Sequence, residues 1–308
     1  MTEGAALAID AGQTGMKIRM TVPGAQTRET TLPGVRTHEE LIPQLAAAAR
    51  TAAAGIEIAE VSAGVSGLTR RESDATALLD ATGDLGTRIA RLTHDSVTAF
   101  LGTLGGERGA VVAAGTGVVT LAVGRSRVAR VDGWGNIMGD AGSAYWIGRE
   151  ALDAGMRAYD GRGPRTPLTD VMRERWPDLE EAYIDLQADP DRIRIVASFA
   201  PAVAELADSD TVSRSICVRA AEELARSVTA ALERVAEADD RSASWAVGAV
   251  GGVFESELIR SRFMQLLDEG PVAVHLVSAR GTGLDGAVAL SGVRPQHPLS
   301  AFVSVATR

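Results

Sequence analysis

The chain has 308 residues, of which 45% are hydrophobic and 23% charged, with a net charge of −9. That is the make-up of a folded chain long enough for two domains; its apolar runs are too short for a membrane span, and no basic stripe with interleaved aromatics offers a face to nucleic acid. The single cysteine, Cys217, excludes an internal disulfide and an all-cysteine metal site within one chain, and its helical setting predicts a buried thiol.

The opening segment MTEGAALAIDAG has no basic n-region and reads as a first strand, not a signal peptide. A strand over 7–10 is interrupted by Ala11-Gly12-Gln13-Thr14-Gly15 and resumes over 16–22, which predicts a hairpin. A helix over 38–54, a strand over 58–65, a helix over 70–81, a strand over 89–93 and a helix over 96–104 follow. This β-β-α-β-α-β-α order predicts a mixed sheet with helices on both faces.

The same grammar then restarts. A strand over 110–114, the turn Gly115-Thr116-Gly117, a return strand over 118–123 and a further strand over 127–132 repeat it, which suggests a duplicated architecture. Residues 143–238 are predominantly helical, with apolar periodicity over 193–207 and 212–235. A strand over 245–250 ends in Gly251-Gly252; a helix over 255–268, a strand over 272–277 and a short helix over 284–290 close the chain. No long low-complexity linker interrupts it, so the two domains are expected to join closely around a cleft.

In the first turn, glycines let the backbone approach a ligand, so that N–H groups converge on phosphate oxygens, and Thr14 adds a hydroxyl. Asp10 at the strand end is placed to hold Mg²⁺ through water. Gly115-Thr116-Gly117 has the same chemistry, and the pair of turns reads as a nucleotide-phosphate clamp. Gly251-Gly252-Val253-Phe254 suits an adenine or ribose lying on the backbone, or is a plain strand-to-helix connection. Asp95, between strand and helix, either takes the proton of an attacking hydroxyl or caps the helix at Ser96.

The stretch Asp132-Gly133-Trp134-Gly135-Asn136-Ile137-Met138-Gly139-Asp140-Ala141-Gly142-Ser143 is rich in glycine and reads as a functional loop. Trp134 is placed to stack on a sugar ring, while Asp140 either accepts hydroxyl hydrogen bonds or caps the helix that starts near Ser143. Two other motifs fail. Gly281-Thr282-Gly283-Leu284-Asp285-Gly286 has the letters of G-x-G-x-x-G but is followed only by a short tail, and no P-loop occurs. His38, His94, His275 and His297 are dispersed, without metal-ligand spacing.

The run DGWGNIMGDAGSAYWIGREAL strongly resembles the N-acetylglucosamine kinase-like family, which also includes the activator ATPases of benzoyl-CoA reductase-type enzymes and whose run is approximately GGWGxxxGDEGSxYWI. The resemblance extends to the two turns, Val65-Ser66-Gly67, His94-Asp95 and Gly251-Gly252-Val253-Phe254. It implies the duplicated ribonuclease H-like (actin-like ATPase) α/β fold, with domains over 1–114 and 115–308 around a nucleotide cleft. The second domain is expected to carry the helical insertion, with the last helix packing back on the first.

The resemblance further implies ATP-dependent phosphorylation of an amino sugar such as N-acetylglucosamine or glucosamine, by a cytoplasmic homodimer that uses Mg²⁺ at Asp10. It makes Asp95 the catalytic base. Asp10, Gly12, Gln13, Thr14, Gly115, Thr116, Gly117, Gly251, Gly252 and Ser256 fall in the ATP site, and Thr37, Ser66, Gly67, Asp95, Trp134, Gly135 and Asp140 contact the sugar.

Three departures stand out. Ala141 replaces the glutamate of GDEGS, Val118-Val119 replace Ser-Asn or Ser-Ile after the second turn, and Thr37 replaces the asparagine of an SxNH segment. All three remove polar groups from the acceptor side and leave the phosphate turns intact, so the reaction type is kept and the substrate preference altered. A non-catalytic sugar sensor is an alternative. An activator ATPase is a poorer one, since it needs two cysteines per subunit to bridge a [4Fe–4S] cluster.

Overall fold

A computed structural model describes residues 4–237 and 244–308; Ala238, the expected end of the helical tract, lies outside the described residues. The chain divides into two compact units. The first takes the residues up to Gly109 together with Val123–Val128 and Ser278–Arg308, and the second takes Ala110–Ala122 and Ala129–Val277.

The first unit is built on a six-stranded sheet in the order β11-β5-β4-β1-β2-β3. Its strands are β1 (Ala5–Ala11), β2 (Gly15–Thr21), β3 (Arg28–Pro33), β4 (Ile58–Val65), β5 (Ile89–His94) and β11 (Ser304–Thr307). β1 runs parallel to β4, and β4 to β5, while β2, β3 and β11 are antiparallel to their neighbours. The period of two in β1 assigns its faces. Leu7, Ile9 and Ala11 enter a core with Leu41 and Leu45 of α1 (Leu41–Ala53) and Leu78 of α2 (Ala75–Ala81). Ala8 packs on the other face with Leu284 and Ala287 of α11 (Gly283–Ala289), which also lies against α3 (Asp95–Leu104).

The second unit holds a five-stranded sheet in the order β10-β9-β6-β7-β8, from β6 (Gly109–Ala114), β7 (Val118–Val123), β8 (Val128–Val131), β9 (Trp245–Val250) and β10 (Val274–Val277). Ala110, Val112 and Ala114 of β6 pack with Ile147 of α4 (Ala144–Tyr159), with Ile216, Cys217 and Leu224 of α9 (Thr211–Val235), and with Phe263 of α10 (Glu257–Asp268). The helices α5 (Leu168–Arg175), α6 (Ala182–Ala188) and α7 (Arg192–Ala197) carry a smaller cluster, in which the Trp176 and Phe199 rings stack at 5.7 Å, while Val203 of α8 (Ala200–Leu206) joins the main one.

Several expectations about elements are corrected. The helix expected over 38–54 begins only at Leu41, because the Gln44 amide folds back on the Arg36 backbone and closes the preceding turn. The helix expected over 70–81 begins at Ala75: the Thr69 hydroxyl donates to Glu72 at 2.7 Å in a separate turn, and Asp74 caps the helix. The tract over 193–207 is two helices, with Pro201 in the first turn of the second. β3 and β11 were not expected. Both are edge strands, and β3 (RETTLP) is almost wholly exposed, so neither carries an apolar alternation.

Candidate active-site residues

In the first unit the chain reverses from β1 into β2 through Gly12-Gln13-Thr14, where the Gly12 N–H donates to Gly15 O at 3.1 Å. The turn is backed from beneath. A Cβ on Gly34 would stand 2.1 Å from the Gln13 carbonyl oxygen, and the Val35 N–H donates to Gly12 O at 3.0 Å. Gln13 and Thr14 are exposed at its tip. A backed, exposed turn of this kind suits phosphate oxygens.

Asp10, Ser66 and Asp95 come together because each sits at the carboxyl end of one of three adjacent parallel strands, β1, β4 and β5. That is the edge at which open α/β sheets bind ligands. The Ser66 N–H donates to Ala11 O at 2.8 Å, and a Cβ on Gly67, whose φ is +75°, would stand 2.6 Å from Thr37 Cγ2. Thr37 and Gly67 therefore join the same cluster. The Asp10 carboxyl is pushed up to about 6 by burial and by the charge of Asp95, against the opposing pull of Lys17.

Asp95 is the first residue of α3 but not its cap. His94 caps the helix: its Nδ1 accepts from the Ser96 N–H at 3.2 Å. The same nitrogen lies 2.9 Å from Asp95 Oδ1, yet it is engaged with Ser96, and Oδ1 is a buried oxygen that accepts no hydrogen bond. Burial pushes the Asp95 carboxyl up, but the His94 ring, the Ser66 hydroxyl and the Ser96 N–H together hold it below its ordinary value. The result is a carboxylate that is charged at neutral pH, with the side chain still 28% exposed.

In the second unit, Gly115-Thr116-Gly117 rests on the start of α4. The carbonyls of Gly115 and Thr116 accept from the Ala144 and Tyr145 N–H groups at 2.9 and 3.1 Å. Ser143, not Asp140, caps α4, accepting from the Trp146 N–H at 3.1 Å. Asp140 turns instead toward Gly115-Thr116-Gly117: a Cβ on Gly117 would stand 2.8 Å from Asp140 Oδ2. Its carboxyl is pushed up to about 6, chiefly by burial and further by Asp132, against the N–H groups of Val118 and Gly135.

Sequence reasoning missed Asp132 as an organising residue. It holds φ +58°, and Asp140 holds φ +60°, a region that ordinary residues occupy at a cost. Asp132 Oδ1 accepts from the Gly133 and Asp140 N–H groups at 2.7 and 2.8 Å, and Oδ2 from Ala141 at 3.2 Å. These charge-assisted bonds fold the loop around one carboxylate. Trp134 is 56% exposed, with the Arg130 guanidinium 4.9 Å from its ring centroid.

The two glycines after β9 differ. A Cβ on Gly251 would stand 2.3 Å from Ala114 O, so packing against β6 requires that glycine, whereas side chains on Gly252, Gly115 or Gly135 would enter open space. Gly252 and Gly115 thus present bare backbone that packing does not demand, as ligand approach would. Ser256 has a structural task, capping α10 through the Ile259 N–H at 3.4 Å. Cys217 is buried, as expected.

Among the described residues no cluster of three or more His, Cys, Asp or Glu side chains is placed to hold a metal. One partly buried carboxylate beside a second negative charge still fits Mg²⁺, which is commonly held by one or two carboxylates together with substrate phosphates and waters.

Comparison with known proteins places these features in context. The sequence profile of the BadF/BadG/BcrA/BcrD ATPase family matches residues 5–290. An N-acetyl-D-glucosamine kinase from Dictyostelium discoideum is 29% identical over 222 residues, covering 68% of this chain and 69% of its own length. An N-acetylmuramic acid/N-acetylglucosamine kinase from Clostridium acetobutylicum is 26% identical over 252 residues, covering 76% of this chain and 78% of its own. The crystal structure of a candidate N-acetylglucosamine kinase from Chromobacterium violaceum shares the fold, with a TM-score of 0.70 at 22% identity over 92% of this chain and 98% of that one.

Proposed function

The chain belongs to the BadF/BadG/BcrA/BcrD ATPase family, and from that premise we propose that it transfers the γ-phosphoryl group of ATP to a hydroxyl of an amino sugar, such as N-acetylglucosamine or glucosamine. The observation that carries this is Asp95, a carboxylate held charged at the end of β5, released from helix capping by His94 and with one oxygen lacking any donor. A base in that state is prepared for a hydroxyl proton.

As the acceptor oxygen bonds to the γ-phosphorus, its proton passes to Asp95 and the bond from phosphorus to the ADP oxygen breaks. Asp95 later gives the proton to solvent. Thr14, Thr116 and the backbone of Gly12, Gln13, Gly115 and Gly117 bind the phosphates in this reading, and Gly251-Gly252 the nucleoside. Thr37, Ser66, Gly67, Trp134, Gly135 and Asp140 orient the sugar. Asp10 would hold Mg²⁺, which when bound neutralises phosphate charge.

An electron-transfer activator is disfavoured by the single buried cysteine, whose thiol burial pushes up to about 11. Dependence on ATP supports a cytoplasmic role, and among the described residues no helix is long and apolar enough to cross a membrane. We expect a homodimer, which sedimentation equilibrium would test. The reading itself is tested by ADP release over glucosamine, N-acetylglucosamine, N-acetylmuramic acid, their anhydro forms and glucose. At least one amino sugar should stimulate release, whereas silence across the panel with ATP still bound would favour a sensor.

A further inference from the structure

The run from Gly281 to Gly286 has the letters of a nucleotide-binding fingerprint, yet Thr282, Asp285 and Gly286 are taken up by capping and close packing. Thr282 and Asp285 form a reciprocal cap on α11, in which the Thr282 N–H donates to Asp285 Oδ2 at 2.6 Å, and Asp285 also pairs with Arg19 at 2.7 Å. The helix is pressed onto α3 at backbone distance. A Cβ on Gly286 would stand 1.8 Å from Thr98 O, and one on Gly102 would stand 2.0 Å from Thr282 O.

Gly283 is different in kind. A Cβ there would meet no backbone first, but the carboxyl of Asp10, at 2.7 Å from Oδ2 and 2.9 Å from Cγ. Its φ lies outside the left-handed region, so the local backbone tolerates alanine. Asp10 points to this face because it alternates with Ile9 and Ala11, which face the opposite core.

We propose that Gly283 is a positioning residue for Asp10: its missing side chain provides the space in which the Asp10 carboxyl sits at the end of β1. The proposal rests on the reading of Asp10 as the carboxylate that serves the nucleotide phosphates. It turns a stretch that resembles a binding motif into the backing of one, and it places the closing helix of the chain in control of a residue near its beginning.

The test is a cycle of Gly283→Ala, Asp10→Ala and the double variant, read by calorimetric affinity for MgADP and for metal-free ADP, by kcat and by thermal melting. Gly283→Ala should weaken MgADP by about tenfold and lower kcat by at least about tenfold, with metal-free ADP unchanged. In the Asp10→Ala background the same change should add less than about twofold, because its target is gone. If Asp10→Ala lowers MgADP affinity and kcat while Gly283→Ala leaves both at wild-type values, the positioning role is overturned and the reading of Asp10 survives. If Asp10→Ala itself changes neither, both fall. Should Gly283→Ala melt early or fail to fold, the double variant must recover the melting temperature of Asp10→Ala; failure to recover would place the conflict elsewhere and overturn the proposal.

Discussion

Asp10 and Asp95 stand at the carboxyl ends of parallel strands, whereas Asp132 and Asp140 stand on a glycine-rich loop and are held by the N–H groups of their own neighbourhood. The register of β1, β4 and β5 sets the first pair, and many residues share in that register. The second pair depends on a few hydrogen bonds and two left-handed residues. On the proposed reading, the charge chemistry common to all acceptors rests on the sheet, and recognition of one acceptor rests on the loop, where a few substitutions act without disturbing a sheet.

Two of the three departures, Ala141 and Val118-Val119, lie on this loop and on the strand beside it, whereas Thr37 stands next to Gly67 in the first unit. Val118 is buried, Val119 packs beneath Gly133, where a Cβ would stand 3.1 Å from its own Cβ, and the Ala141 N–H donates to Asp132.

This contrast can be broken from either end. The largest effect should come from Asp95→Asn, which is expected to lower kcat by about 10²–10⁴-fold with little change in ATP affinity, measured by steady-state kinetics and nucleotide titration. Near-normal turnover would remove Asp95 as the base. Asp132→Ala should raise the acceptor KM by about tenfold or more and leave the ATP KM in place, since each lost charge-assisted hydrogen bond contributes about 1.5–3 kcal/mol. A parallel rise in both KM values would show that the loop supports the whole unit. Trp134→Ala is expected to raise the acceptor KM alone by about threefold to tenfold, the worth of roughly 0.5–1.5 kcal/mol of ring stacking.

The smallest effect concerns pH. The Asp140 carboxyl, at about 6 in the fold against 3.8 ordinarily, binds its proton more tightly when folded. Its contribution to stability is therefore full below about pH 4 and is lost as pH rises through 6. Asp140→Asn should melt higher relative to wild type at pH 8 than at pH 4, and a pH-independent difference would contradict the burial of that charge.

The sheets of both units were legible because β1, β4, β5, β6, β7 and β9 are apolar runs bounded by glycine or polar turns. β3 and β11 were not, since an edge strand buries too little to leave a pattern. Asp95 was visible by its place between strand and helix, but its release from capping was not, because histidine is an uncommon cap and His94 carried no metal spacing. Asp132 was hidden for a different reason: nothing in its letter shows a left-handed backbone. Gly283 was hidden by a misleading match, for a spacing of glycines does not tell close packing from ligand approach.

The central claim is that phosphate leaves ATP for a sugar hydroxyl and not for water. Phosphorus NMR of the protein with MgATP and N-acetylglucosamine or glucosamine tests it most directly. The account predicts a sugar phosphomonoester signal growing in step with ADP; inorganic phosphate as the sole new signal, or ATP bound and unconsumed, would contradict it.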